Sequence, residues 1–496
     1  MKRDQRPKTS EYALFFGQTL FCFLRAMPPE PLSNRHFSFG CKHNSLYAPG
    51  DPRAVSEPQS FRDTFMKKTN CILFGVAVLT LSAAVFASAQ DWPQWRGPNR
   101  DGKAAAFTAP KTWPKELTQK WKVSVGEGVA TPALVGDKLY VFARQSGAEI
   151  TRCLDASTGK ELWQEKYDAL GATGPASGFS GPRASPTVAD GKVITFGVRG
   201  VLSCLDAKDG KLVWRKDDFK GGVPRFFTAS SPLITDGLCV AQLGGGDKEG
   251  GVLVFDLASG KEKWRWMGDA PAYASPILMT VEGMKTVIVV GDTKLAALGL
   301  TDGKLLWETG FAVPGRGYNA ATPIVEGQTL IYSGSGRGST AVKLAKSGET
   351  LTAKELWKNA DNSVMFNSPI LKSGFVYGLS AANDIFCINA QDGKTPWSAS
   401  ASGGSASAGA SAAGGGERKG RGMMGRGGFG SIVDAGSVLM ALTPSSELIV
   451  FEPNDKAYKE VARIKVADSP THAYPVPSGN RLFIKDQDAV MLLTAE

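Results

Sequence analysis

The side chains of this chain best suited to chemistry are cations, aromatics and amides: Arg183, Arg225, Tyr273, Arg316, Asn319, Asn367 and His472. All seven stand in short links between repeated units. Guanidinium groups pair with anions, aromatic faces stack on planar groups, and amides fix orientation through hydrogen bonds. Gathered on one face of a rigid scaffold, they suit an anionic or planar ligand, or a peptide segment. A second set of links carries Arg199, Asp247, Asp292, Arg337, Asn383, Asp384 and Asp486. Catalysis has less to work with. His472 is the only histidine after residue 89, which argues against a histidine-based triad and against a multi-histidine metal site. No two cysteines are neighbours and no Cys-x-x-Cys occurs, so zinc knuckles and covalent haem are not indicated. The reading is a binding face, with no catalytic or metal residues assigned.

The elements that must position these links announce themselves by repetition. Cys204-Leu-Asp-Ala-Lys-Asp-Gly-Lys-Leu-Val-Trp214 recurs as Cys153 to Trp163, Phe255 to Trp264, Gly299 to Trp307 and Cys387 to Trp397. Each copy is an apolar strand, a turn rich in Asp and Gly, and a second strand bearing Trp. Trp121, Trp163, Trp214, Trp264, Trp307, Trp357 and Trp397 are expected to dock one unit against the next, because a lone unit cannot bury its apolar faces. The cysteines at the shared strand position, Cys153, Cys204 and Cys387, read as small buried hydrophobes.

Copies open on Ser or Thr followed by Pro, at Pro132, Pro186, Pro232, Pro276, Pro323 and Pro369, with intervals of 54, 46, 44, 47 and 46 residues. Two degenerate copies begin near Gly430 and Ala473. Four strands in each of eight copies is the pattern of a β-propeller. The eighth copy holds only three strands, the last at Ala489-Val-Met-Leu-Leu, while Leu117–Val125 is a Trp-bearing strand with no unit of its own. The expectation is an all-β, eight-bladed propeller of four-stranded antiparallel blades over 117–496, closed by that N-terminal strand pairing into the last blade. Closure removes the exposed edges of an open sheet.

Around this body lie four other segments. Met66-Lys-Lys, an apolar run from Cys71 to Phe86 and Ala87-Ser-Ala89 have the layout of a cleaved signal peptide, 66–89. The protein is therefore expected to be exported, periplasmic or extracellular, with no membrane span after cleavage. Residues 1–65 precede that leader and read as a non-native or disordered extension. The lead-in 90–116 is rich in Trp, Pro and Gly; Trp92 and Trp95 read as a surface strap, with a carbohydrate platform as the functional alternative. Residues 399–430, Ser/Ala/Gly followed by a Gly/Arg run, read as a disordered loop because they offer almost nothing to bury. The net charge of +10 thins to +5 after residue 89, and +3 of that lies in 399–430. The body is close to neutral, so no nucleic-acid partner is expected. A monomer is expected.

The Asp-x-x-x-Gly-Lys-x-x-Trp pattern with its Ser-Pro openings resembles the PQQ-type repeat, a propeller family that includes quinoprotein alcohol dehydrogenases and the outer-membrane assembly factor BamB. The lead-in Trp92-Pro-Gln-Trp-Arg-Gly-Pro is similar to the start of exported members of unassigned role. The resemblance implies a propeller acting outside the cytoplasm; it does not imply catalysis, since one fold hosts many functions. The leading expectation is a non-catalytic scaffold that binds a protein or small ligand at the funnel face and needs no cofactor. The alternative is a dehydrogenase dependent on pyrroloquinoline quinone (PQQ) and calcium, with Asn319, Asn367, Asp292 and Asp384 as the available oxygen ligands. The dehydrogenases' adjacent cysteine pair is missing here.

Overall fold

The structure is a computed structural model, and it describes residues 91–496 apart from 247, 314–317, 402–427 and 496. The expected leader 66–89, the extension 1–65, most of the 399–430 insertion, Asp247 and Arg316 lie outside the described residues. Backbone contacts divide the chain into Met1–Leu81 and Ser82–Glu496; all that follows concerns the second unit.

That unit holds eight four-stranded antiparallel sheets among the described residues, an eight-bladed β-propeller. Blade 1 is Ala133–Val135, Lys138–Gln145, Ala148–Asp155 and Glu161–Asp168, and the next six follow in chain order. Blade 8 is Val476–Ser478, Arg481–Lys485 and Ala489–Thr494, completed by Thr118–Ser124, with Thr118 opposite Thr494 and Ser124 opposite Ala489. The closure expected from the orphan Trp strand is therefore present.

Burial follows radius. The middle strands are covered on both faces by neighbouring blades, which is why they read as continuous apolar runs such as Val438–Leu442. Outer strands alternate, as Glu161–Asp168 does. In seven blades the register slips by one residue between the third and fourth strands, at Cys153/Leu154, Cys204/Leu205, Val254/Phe255, Ala297/Leu298, Ala341/Val342, Val450/Phe451 and, in the closing blade, Gln119/Trp121. Such a bulge re-aims side chains. In blade 1 it leaves Leu162 unpaired and 48 % exposed while Trp163 sits squarely opposite Cys153. Cys204 faces Trp214 and Cys387 faces Trp397 in the same way. All four described cysteines are free and buried.

Each blade Trp turned inward by this arrangement meets the repeat turn of the next blade. The indole Nε1 donates to a turn carbonyl in five cases: Trp121 to Ala156, Trp214 to Leu257, Trp264 to Leu300, Trp357 to Ala390 and Trp397 to Asn454, at 2.7–3.2 Å. Trp163 makes the same packing, but Tyr140 Oη takes the Ala207 carbonyl that its indole would have reached. Trp307 packs into the apolar cluster that holds Leu330 and Leu344 of blade 5.

Candidate functional site

The Ser/Thr-Pro openings bring the first strands to the axis, and their hydroxyls join blade to blade. The Thr131 amide donates to Ser185 Oγ, Ser185 to Ser231, Ser231 to Ser275, Ser275 to Thr322, and Thr322 to Ser368, each at 2.9–3.0 Å. The Tyr474 amide returns to Thr131 Oγ1 at 2.9 Å. A residue type that sequence reading takes for a strand start is thus the rivet of the inner ring.

Inside that ring the first strands turn an unpaired edge toward the channel, and buried backbone carbonyls require donors. The lead-in supplies them. Trp92 pairs with Leu134 of blade 1, Asp434 of blade 7 accepts from the Ala104 amide, and Gly479 of blade 8 accepts from the Thr108 amide. Between these anchors residues 94–102 fold into the axis. Arg100 donates to the carbonyls of Ser231, Pro232 and Pro276, with Nη1 2.8 Å from the last; Arg96 Nη2 donates to Pro369 O at 2.5 Å. Arg96 and Arg100 are each 1 % exposed and Trp92 is 0 % exposed. This corrects the surface strap for Trp92, which has no face to offer a carbohydrate; Trp95 is only half-buried. Burial pushes the Arg100 guanidinium down to about 9 and lowers that of Arg96. Arg100 remains charged at neutral pH, held by carbonyl dipoles in place of carboxylates.

The plug enters from the side of the first hairpin turns, at Gly136 and Gly479, with Phe107 O close to Gly436, and Trp95 lies at the cavity end. Above Trp95 opens a cavity of about 200 Å3. Aromatic rings from successive links surround it. Tyr273, Phe226 and Tyr318 meet at centroid distances of 6.5, 4.6 and 5.8 Å; Tyr318 stacks toward Phe366 at 6.3 Å and Phe366 on Phe429 at 4.4 Å. Phe429 meets His472 edge-on at 5.5 Å, and His472 meets Phe179 at 4.7 Å. These seven rings form one unbroken arc.

Arg183 stands where the arc is open. Its Nη2 donates to Phe179 O at 2.8 Å and Ala176 O at 3.3 Å, both in the 3-10 turn Gly174–Phe179. Its Nη1 is buried without a partner, and its guanidinium lies 6.0 Å from the Phe227 ring. Desolvation lowers it to about 10, so it stays a cation. Glu149 lies within electrostatic range, yet its oxygens are committed to Tyr167 Oη and the Val198 amide, and burial raises its pKa. Three more polar atoms among the cavity residues are buried and unpartnered: Asn367 Oδ1, His472 Nδ1 and Tyr474 Oη. Burial takes His472 down to about 4, leaving it neutral at physiological pH.

Of the residues singled out from sequence, Arg183, Tyr273, Asn367 and His472 come together around this cavity. Arg225 is exposed at the rim, 5.5 Å from the Phe226 ring. Asn319 is a correction: its Nδ2 is spent on the carbonyls of Gly291, Asp292 and Phe311, and its Oδ1 accepts from Arg337, so it braces the link instead of lining the funnel. Phe226, Tyr318, Phe366 and Tyr474 stand in the same links that sequence reading selects for their cations, aromatics and amides; what it passes over is Trp95 as the floor, Phe179 and Phe429. The available signal was an aromatic in nearly every link. Phe429 is the instructive case, since it lies within residues 399–430, which sequence reading expects to be disordered, and this end of the segment is ordered in the arc. Asn367 Nδ2 and the Phe366 amide both donate to Gly428 O, and Asn383 Oδ1 accepts from the Gly428 amide, which pins the end of that segment over the funnel.

A calcium-held quinone, which the resemblance allowed, does not fit these residues. Calcium is held by roughly six to eight hard oxygen ligands, usually including carboxylates. The described side chains around the cavity include no carboxylate, and Asp292 and Asp384 do not reach it. Among the described residues, no three His, Cys, Asp or Glu cluster at metal-binding distance.

A family model described as outer membrane protein assembly factor BamB matches residues 112–265 and 146–399, more than half of the chain. BamB of Yersinia pestis is 26 % identical over 306 residues, covering 57 % of this chain and 70 % of that protein. The quinohemoprotein alcohol dehydrogenase of Comamonas testosteroni is 28 % identical over 249 residues, 48 % of this chain and 32 % of that enzyme. Among solved structures, BamB from Moraxella catarrhalis superposes with a TM-score of 0.51 at 16 % identity, over 76 % of this chain and 97 % of that one. The Comamonas enzyme gives 0.53 at 14 % identity, over 82 % and 80 %. These superpositions are likenesses of fold.

Proposed function

This chain belongs to the PQQ-repeat propeller family described by the BamB model, and from that premise we propose that it is an exported, non-catalytic binding protein whose funnel is its ligand face. One observation carries the reading: seven rings and a guanidinium with one unpartnered nitrogen, Arg183 Nη1, converge on a cavity floored by Trp95. Apolar walls with a few convergent polar atoms are what a recognition site needs. The rings come from links, while the scaffold beneath them is riveted at the axis, so the site is pre-formed. The names of the relatives support a role in assembly outside the cytoplasm as well as a dehydrogenase; the donor set around the cavity favours the former.

The test uses the purified full-length protein with indole as a neutral planar probe, followed through the ring resonances of His472. Saturable shifts are expected, and the paired substitution Tyr318→Ala/Phe366→Ala should weaken binding about tenfold, the loss of two aromatic contacts. Absence of any His472 shift would end the funnel reading. In parallel, reconstitution with quinone and calcium should give no dye reduction with a panel of alcohols; turnover would replace the scaffold with the dehydrogenase.

A further inference from the structure

The walls and the unpaired atoms of the funnel together specify more than a planar ligand. We propose that the funnel recognises an aromatic carboxylate: a one- or two-ring aromatic group in the arc, with its carboxylate on Arg183. This rests on the funnel being the ligand face. An apolar cavity of about 150 Å3 holds benzene in another protein, so about 200 Å3 suits a ring system of indole size better than a larger fused one. The rings provide edges and faces on all sides but one, and on that side stands a cation.

Arg183 is placed by its own link. Two carbonyls of the 3-10 turn hold Nη2, which orients the planar fork and leaves Nη1 buried with nothing to donate to. A buried donor without an acceptor is costly, and a carboxylate is the acceptor that returns the most, through a charge-assisted bond. Glu149 does not fill that need, because its oxygens are already bonded away from the cavity. Asn367 contributes the complementary demand. Its Oδ1 accepts nothing, so the ligand should carry an N–H or O–H donor beside its ring. An indole N–H or a peptide N–H meets it. Neutral His472 adds no charge to repel or attract. The same chemistry is carried by a free aromatic acid and by the C-terminal aromatic residue of a polypeptide.

The experiment measures affinities of the full-length protein for indole-3-acetate and indole-3-acetamide, and for a pentapeptide ending in Trp with a free or an amidated C-terminus. The acid forms are expected to bind at least tenfold more tightly than the amides, with the difference shrinking as salt is added. Arg183→Gln should bring acid and amide to equal affinity. Tight binding of the free acid identifies a small-molecule ligand; tight binding of the peptide alone identifies a chain terminus. Equal affinity of acid and amide in the unaltered protein, or a preference that survives Arg183→Gln, overturns the carboxylate assignment while indole binding still upholds the funnel. If indole also fails to bind, both fall together.

Discussion

The indole of Trp214 in blade 2 lies over Gly260 in the turn of blade 3, with Nε1 donating to Leu257 O at 2.8 Å. Gly260 has φ +67°, and a Cβ there would stand 2.7 Å from the ring. The same pairing joins Trp121 to Gly159 and Trp357 to Gly393. Trp and Gly of the repeat therefore belong to one contact made between copies, which is why they recur together.

Trp214→Ala should cost about 3–5 kcal/mol of stability, the range for truncating a buried aromatic. Gly260→Ala should cost about 2–3 kcal/mol, because a left-handed residue acquires a side chain against the ring. Chemical denaturation of both variants checks this. A neutral Gly260→Ala would show that the turn yields freely, and the docking account would be wrong.

The axial plug makes Arg100 a structural residue despite its charge. Arg100→Met keeps much of the volume but strands the carbonyls of Ser231, Pro232 and Pro276. A buried carbonyl left without a donor costs about 1–3 kcal/mol, so a loss of about 3 kcal/mol or more is expected in thermal or urea unfolding. An unchanged melting temperature would mean that water replaces the guanidinium without penalty.

His472 ties stability to pH. Its folded pKa is depressed from 6.5 to about 4 by desolvation. The unfolded chain therefore takes up the proton first as pH falls. The contribution is fully present above pH 6.5, is lost progressively between 6.5 and about 4, and changes no further below that. A shift of this size corresponds to roughly 3 kcal/mol at full extent. Measuring unfolding free energy from pH 8 to 4 for the protein and for His472→Phe should show a steeper fall in the former; parallel curves would refute the burial of this ring.

The buried thiols should be silent in the native state. Burial raises Cys153 to about 11, Cys204 and Cys387 to about 12, and Cys239 further still. A thiolate is the reactive form, so a thiol reagent at pH 8 should find none of these four until denaturant is added. Mass mapping of the labelled cysteines decides it, and rapid labelling of Cys204 in the folded protein would contradict the blade packing.

Sequence alone determined the repeating architecture. Local turn chemistry, the alternation of strands and the spacing of Ser/Thr-Pro and Trp recur in most copies and leave two degenerate ones recognisable, so blade number and even the closing strand at Trp121 can be read by counting. The funnel links are legible for the same reason, since they fall where the repeat stops repeating. Their roles are not. Asn319 and Asn367 occupy like positions, but one is consumed by three carbonyls and the other keeps an oxygen free, a difference set by Arg337 and Gly428 from other links.

Only the tertiary structure decided what closes the axis. Arg96 and Arg100 look like surface residues because a guanidinium is ordinarily buried at a loss. Here eight inner strand edges converge, and their prolyl carbonyls create an environment that exists only once the ring has formed. Phe429 reaches the funnel by the same kind of non-local bond, through a glycine clamped by two asparagines. Periodicity reports what neighbouring residues do together. The plug and the aromatic arc are made by residues far apart in the chain, which meet because the closed ring leaves them a shared axis.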